Sequence, residues 1–329
     1  MTVPTCQLTQ LPQEILVQIF DELEPQKTDI ESLGFTCKRL FQISQQFRMS
    51  DVTVTWQVID VFHTKLETTL EPLIPYIKSL SIKFPSSWGE WHRSDTLQDV
   101  LEKCYNIESL ELTLSGSSNW LQYLRPNTHV RKLRLLSSQA NFRPALFDIA
   151  DLHAFKTVEV LHLDFFRLQG GSPIEERLMP LLNTVKELEI VNCEWKFPFS
   201  MNLFRKLESL TVYYTIKCEA FTFSERLKSL ASNPPVTLKQ FIMHLNLFSP
   251  VRQKTWYPIL NGCTELKFIS LKGFRYPPFE FFALLPESLK QIELHMTSRN
   301  YFSQTQAPAA HMNRYGNAEI RIIDWIKQV

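Results

Sequence analysis

Hydrolytic, redox, metal and phosphate chemistry each need particular residue types at short, fixed separations, so cysteine, histidine and glycine are where such chemistry would first show. The six cysteines stand at positions 6, 37, 104, 193, 218 and 263, the closest two 25 residues apart. No C-x-x-C zinc or redox pair exists, and the six read as reduced, mostly buried thiols. The histidines at 63, 92, 129, 153, 162, 244, 295 and 311 contain no H-x-x-x-H pair. The eight glycines never take the spacing of a G-x-G dinucleotide turn or a phosphate loop, and no G-x-S-x-G elbow occurs. The reading therefore predicts no catalytic residue, no metal site and no cofactor. It expects a chain that binds other molecules without transforming them.

Charge and hydropathy narrow the class of partner. A formal net charge of +1 over 329 residues argues against a basic face spread along the chain, so no nucleic-acid partner is expected. No apolar run reaches the length of a membrane span, and the opening MTVPTCQLTQ lacks the basic start and apolar core of a secretory signal. The expectation is a protein of the cytoplasm, the nucleus or both, with no membrane partner.

The elements begin with helices. Leu11, Ile15, Leu16, Ile19, Phe20 and Leu23 form one wide apolar stripe. Pro12 suits the first helical turn, where its missing N–H costs nothing, and Pro25 limits the end. Thr28 with Glu31 has capping-box spacing ahead of Ile30, Leu33 and Cys37, and Leu40, Phe41 and Ile43 continue an apolar set. Three short helices within about 40 residues cannot bury enough surface to be stable alone, so they must pack on a partner or on the rest of the chain.

The joined pattern of Leu11-Pro12, Glu14-Ile15-Leu16, Ile19-Phe20, Asp29-Ile30-x-x-Leu33 and Cys37-Lys38-Arg39 resembles the F-box family over residues 8 to 48. The resemblance implies binding to a Skp-type adaptor, and through it to the cullin and RING subunits of a ubiquitin ligase. It carries adaptor contact onto Leu11, Pro12, Ile15, Leu16, Ile19, Phe20, Leu33, Cys37 and Leu40. The chain departs from the family at Thr36, where Val is common, and at Leu40, where Trp is common.

Past residue 50 the pattern apolar-x-x-apolar-x-apolar starts at Ile77, Ile107, Val130, Val158, Val185, Leu207, Leu238, Leu266 and Leu289, with 22 to 31 residues between starts. A short strand recurring at this interval, with room for a turn and a helix, is the signature of leucine-rich repeats. The copies at Leu101–Leu112 and Leu260–Leu271 share one register and resemble the cysteine-containing repeats that often follow an F-box. Cys193 falls at the equivalent tight turn of another copy. Helix starts are expected at Asp95 with Gln98, at Ser172-Pro173-Ile174-Glu175 ahead of Leu178, Leu181 and Leu182, and at Ser224 ahead of Leu227 and Leu230. Alternating strands and helices would also suit a doubly wound nucleotide-binding fold, which the glycine spacing excludes.

The predicted fold class is α/β. A three-helix F-box at 8–48 follows a tail at 1–7. An irregular leucine-rich-repeat horseshoe spans 51–297, with its parallel sheet on the concave face and Val52, Val54, Trp56 and Val58 as a capping strand. An irregular loop covers 298–317, and 318–329 closes the chain with a strand and a short helix. Side chains between the inward positions of each strand would face a protein substrate of unknown identity: Lys132, Arg134, His162, Glu187, Glu189, Tyr213, His244 and Phe268. By the resemblance, the chain is a non-catalytic substrate-recognition subunit of a Skp–cullin–F-box ubiquitin ligase. Two other readings stay open: a scaffold bound to the adaptor outside any ligase, and a repeat protein whose helices are a plain cap.

Overall fold

The computed structural model describes residues 8, 11–23, 27–84, 94–114, 121, 124–137, 144–169, 181–195, 204–218, 235–247, 262–273, 284–296, 314–315 and 318–324. The chain divides into two compact units, Met1–Pro85 with Gly89–Thr113, and Ser86–Trp88 with Leu114–Val329. The architecture is a short helical domain of three helices followed by a solenoid-like region built on parallel strands.

The first unit opens with α1 (Gln13–Leu23), α2 (Lys27–Gly34) and α3 (Lys38–Arg48). Pro12 sits just ahead of α1, its carbonyl accepting from Leu16 N at 3.1 Å, which a residue without an N–H can do at no cost. Leu16 and Phe20 of α1, Ile30 of α2, and Leu40 and Ile43 of α3 form a closed apolar cluster. The Phe20 and Phe47 rings stack across it at 5.5 Å. Gly34 lets α2 and α3 approach: a Cβ there would meet the Ser44 hydroxyl and lie 2.9 Å from Ser44 Cβ. Two sequence expectations change. Thr28 lies inside the first turn of α2 and does not cap it. Cys37 caps α3, its Sγ accepting from Leu40 N at 3.5 Å, and does not continue the face of α2.

After α3 the chain enters a parallel sheet of β1 (Asp51–Thr55), β2 (Ser79–Lys83) and β3 (Ser109–Leu114), with Val54 beside Ile82 and Ile82 beside Leu112. The alternation expected through Val58 stops at Thr55, because Trp56–Val58 turns into a 3-10 helix that buries Trp56 and leaves Val58 exposed. Between strands lie α4 (Ile59–Leu66) and α5 (Ser94–Lys103). They are tied by Lys103 Nζ to Glu67 Oε1 at 2.8 Å and Thr96 Oγ1 to Asp60 Oδ1 at 3.1 Å. Asp95 falls within α5, and Gln98 reaches forward to Glu102 instead of back to a cap.

The second unit holds β4 (Lys132–Ser137), β6 (Val160–Asp164), β8 (Glu187–Val191), β10 (Ser209–Cys218), β11 (Gln240–Leu247), β12 (Phe268–Lys272), β13 (Gln291–Met296) and β15 (Ala318–Asp324), side by side and parallel in that order. A short β14 (Arg314–Tyr315) pairs antiparallel on β15. The repeat pattern is what buries the core: Val158, Leu161 and Leu163 are buried, as are Val185, Leu188 and Ile190, and Leu207, Leu210 and Val212. Paired registers place each buried side chain beside its counterpart in the next strand, such as Leu188 beside Leu210. Every copy therefore adds apolar surface to one continuous layer.

A second sheet was not anticipated. It consists of β5 (Ala145–Asp148), β7 (Phe166–Gln169) and β9 (Glu194–Trp195), all parallel. Phe165 (φ 63°) and Asn192 (φ 52°) adopt left-handed backbone between β6 and β7 and between β8 and β9. Left-handed residues bend the chain sharply out of the main sheet. Phe147 and Phe166 then pack at 5.0 Å. Cys193 sits in that turn, accepting from Phe166 N at 3.5 Å, and the Tyr214 hydroxyl donates to the Cys193 carbonyl. Leu181 and Leu182 are buried at the end of the segment read as a helix from Ser172. The rest of that helix, the one from Ser224, the 1–7 tail, the 298–313 part of the expected loop and the terminal helix lie outside the described residues.

Candidate functional site

The nine positions assigned to adaptor contact separate by burial. Leu16, Phe20 and Leu40 are at most 2% exposed and face the interior of the three-helix cluster. With Ile30 and Ile43 these three form the core that holds the helices together, and their side chains are not on the surface. The reason is geometric: an apolar stripe wider than one helix neighbour can cover presents one edge inward and one edge outward. Ile15 lies on the outward edge, 41% exposed, and Pro12 is also exposed. Leu11, Ile19, Leu33 and Cys37 are half-buried at the margin.

Two aromatic residues outside the assigned set are the more prominent surface. Phe35 is 71% exposed and Phe41 38%. Their rings lie 6.5 Å apart, and the Arg48 guanidinium stands 5.8 Å over Phe35. Phe35 sits in the turn after α2, where side-chain periodicity has no meaning. An apolar residue in a turn with Thr36, just ahead of Lys38 and Arg39 at the start of α3, was the available signal.

On the main sheet of the second unit, strand registers align the outward side chains into rows. One row runs Lys132, Val160, Glu187, Ser209, Gln240, Phe268 and Gln291. The next runs Arg134, His162, Glu189, Thr211, Ile242, Ser270 and Glu293. The third includes Asp164, Val191, Tyr213, His244, Lys272 and His295. All eight assigned face residues therefore lie on one surface of one sheet. Lys132, Arg134 and Glu187 are exposed, whereas His162, Glu189, Tyr213, His244 and Phe268 are partly buried.

The basic and acidic spots are joined. His162, between Arg134 and Glu189 in the row, sets Nδ1 2.8 Å from Glu189 Oε2. That hydrogen bond is the main cause holding the Glu189 carboxyl below its ordinary range, opposed by burial and aided by the His162 and Arg134 charges. Asp164 moves the other way, raised chiefly by desolvation. His162 Nε2 and Asp164 Oδ1 are both buried without a partner.

Further along, the Tyr213 ring meets His244 edge-on at 5.3 Å, and His244 meets His295 at 4.7 Å. Ser270 Oγ lies between the two imidazoles, 2.9 Å from His244 Nε2 and 3.2 Å from His295 Nε2. Burial first, then the charges of His295 and Lys272, depress His244 to about 4. His295 is also lowered by burial, with Glu293 opposing. The serine, histidine and carboxylate do not form a nucleophilic relay. Glu293 Oε2 approaches the same His295 Nε2 that faces Ser270, at 3.8 Å, so it cannot orient the ring through its other nitrogen. Ser270 is also 2% exposed. Ser270, His295 and Glu293 share strand register with the assigned residues and were not singled out from the sequence. Their common signal was the shared register of Gln240-x-x-x-His244 and Gln291-x-x-x-His295.

Burial raises the thiols of Cys104, Cys193 and Cys263 to about 12, which leaves them packing groups rather than nucleophiles. Among the described residues, no group of three His, Cys, Asp or Glu side chains could hold a metal ion, and no helix is long and apolar enough to cross a membrane.

Residues 8–48 match the F-box-like family. No curated protein matches the chain. Among solved structures, the chain is similar to one in the crystal structure of the Rad7 and Elc1 complex in yeast, at 11% identity, covering 96% of this chain and 97% of that one, with a TM-score of 0.30. At that score the likeness carries no inference.

Proposed function

We propose that this chain is a non-catalytic substrate-recognition subunit of a Skp–cullin–F-box ubiquitin ligase. The helical domain docks the Skp-type adaptor, and the adaptor connects it to the cullin and RING subunits. The outward face of the second unit's sheet holds a protein substrate. Holding it near the charged conjugating enzyme raises the effective concentration of its lysines without any chemistry by this subunit.

One observation carries the reading. The F-box-like match over 8–48 coincides with three helices whose buried apolar residues pack on one another, yet which leave Ile15, Phe35 and Phe41 exposed. Large apolar groups that the domain's own packing does not need are what a protein partner covers. The mixed polar, charged and aromatic rows of the sheet suit a protein better than a polyanion, which would require a continuous basic surface.

The test is affinity purification of the full chain beside an Ile15→Asp variant from cells. Wild type is expected to recover adaptor, cullin and RING subunits together, and the variant to lose all three. Recovery of the adaptor without any cullin would overturn the ligase role and leave a scaffold outside a ligase. Unchanged recovery of the adaptor by the variant would overturn the docking surface.

A further inference from the structure

A serine hydroxyl carries one proton, so between two imidazole nitrogens it donates to one and accepts from the other. Ser270 Oγ stands in that position between Nε2 of His244 and Nε2 of His295. Glu293 decides the direction. Its carboxylate Oε2, 3.8 Å from His295 Nε2, favours a proton on that nitrogen and disfavours a lone pair. His295 Nε2–H therefore donates to Ser270, and Ser270 donates to His244 Nε2. Neutral His244 then carries its proton on Nδ1, while neutral His295 has a lone pair on Nδ1.

The relay thus leaves the two adjoining rings with opposite groups at Nδ1, a donor on His244 and an acceptor on His295. Among the described residues, no hydrogen bond uses either Nδ1, and neither is among the buried unpartnered atoms. Burial keeps both rings uncharged at neutral pH, His244 first by desolvation and then by His295 and Lys272. Among the described residues, the titratable groups that face the pair are Tyr213 on β10, Lys272 on β12 and Glu293 on β13. The Tyr213 ring, edge-on to His244, supplies an apolar wall.

A donor beside an acceptor is the complement of a primary amide, which offers its carbonyl and one N–H side by side. A carboxylate would face the His295 lone pair, and an ammonium would face the His244 N–H. We infer that Tyr213, His244, Ser270 and His295 form a binding site for an uncharged primary amide of the partner protein, the side chain of a Gln or Asn. This deepens the reading of the sheet face as the substrate surface and rests on it.

The experiment uses the full chain with ¹⁵N-labelled histidine at neutral pH, titrated with N-acetyl-glutamine methylamide and, separately, N-acetyl-glutamate methylamide. Before titration, long-range proton–nitrogen spectra are expected to show His244 as the Nδ1–H tautomer and His295 as the Nε2–H tautomer. The glutamine probe is expected to shift both Nδ1 signals and the glutamate probe to leave them. Ser270→Ala, which removes the hydroxyl alone, is expected to weaken the glutamine response about tenfold. His244→Phe, which keeps an aromatic ring, is expected to abolish it in a chain whose unfolding midpoint serves as the folding control. Two rings in the same tautomer, equal shifts with both probes, or no response to glutamine would each overturn the inference. Adaptor capture involves none of these residues, so its loss would sink the ligase reading while this titration still stands or falls by itself.

Discussion

Ile15 and Leu16 are adjacent in sequence and opposite in consequence. Leu16 is fully buried against Phe20, Ile30, Leu40 and Ile43, whereas Ile15 keeps 41% of its surface. Truncating Leu16 to Ala deletes buried methyl groups and leaves a cavity in a cluster of only five buried residues, a loss of about 2–5 kcal/mol. A small helical domain has little more than that to lose, so its helices open. Ile15→Asp puts a carboxylate into the third residue of α1, where the positive end of the helix dipole favours it, and costs the fold under about 1 kcal/mol. Buried unpaired against an apolar partner surface, the same carboxylate costs several kcal/mol, at least about a hundredfold in affinity. Two assays separate the effects. Hydrogen exchange over α1 to α3 reports local opening in the intact chain, and titration with purified Skp-type adaptor reports affinity. Leu16→Ala is expected to lose protection and binding together, and Ile15→Asp to lose binding alone. Wild-type affinity in Ile15→Asp, or equal loss of protection in both variants, would refute the assignment of the two edges.

Gly34→Ala is expected to open the same helices, because its Cβ meets Ser44, and pairing it with Ser44→Gly should recover part of the protection by removing the atoms it strikes. His244, neutral in the folded state down to about 4, makes the unfolded chain bind more protons as pH falls below its ordinary 6.5. Stability is therefore lost progressively between about 6.5 and 4 and the loss levels off below that. Denaturant midpoints across this window should fall less in His244→Phe than in wild type. The buried thiols of Cys193 and Cys263 should resist a thiol-reactive dye in the native chain and react once it is denatured; rapid native labelling at either would contradict their packing role.

The helical domain and the repeat strands were legible because both rest on periodicity. One stripe at helical spacing defined α1, and Val158, Leu161 and Leu163 belong to a pattern whose recurrence alone implies a stacked sheet. The second sheet was hidden because it depends on Phe165 and Asn192 entering left-handed backbone. Asn192, of a type that tolerates this backbone and beside the tight turn read at Cys193, gave a weak signal, but Phe165 gave none, and neither told that a second strand would leave the turn. Cys37 was read as a helix-face residue because spacing cannot distinguish the last turn of one helix from the cap of the next.

The amino-acid order by itself determined which side chains are apolar, at what period they recur, and which motifs are missing. Those facts settle a helical domain ahead of stacked parallel strands, since burial follows the pattern wherever neighbours are alike. Only the tertiary structure decided which edge of the α1 stripe is core and which is surface, because that depends on where α2 and α3 lie. It also decided that His244, Ser270 and His295, 26 and 25 residues apart in sequence, meet in one hydrogen-bonded chain. Strand register brings them there, and register is set by the packing of every repeat on its neighbours.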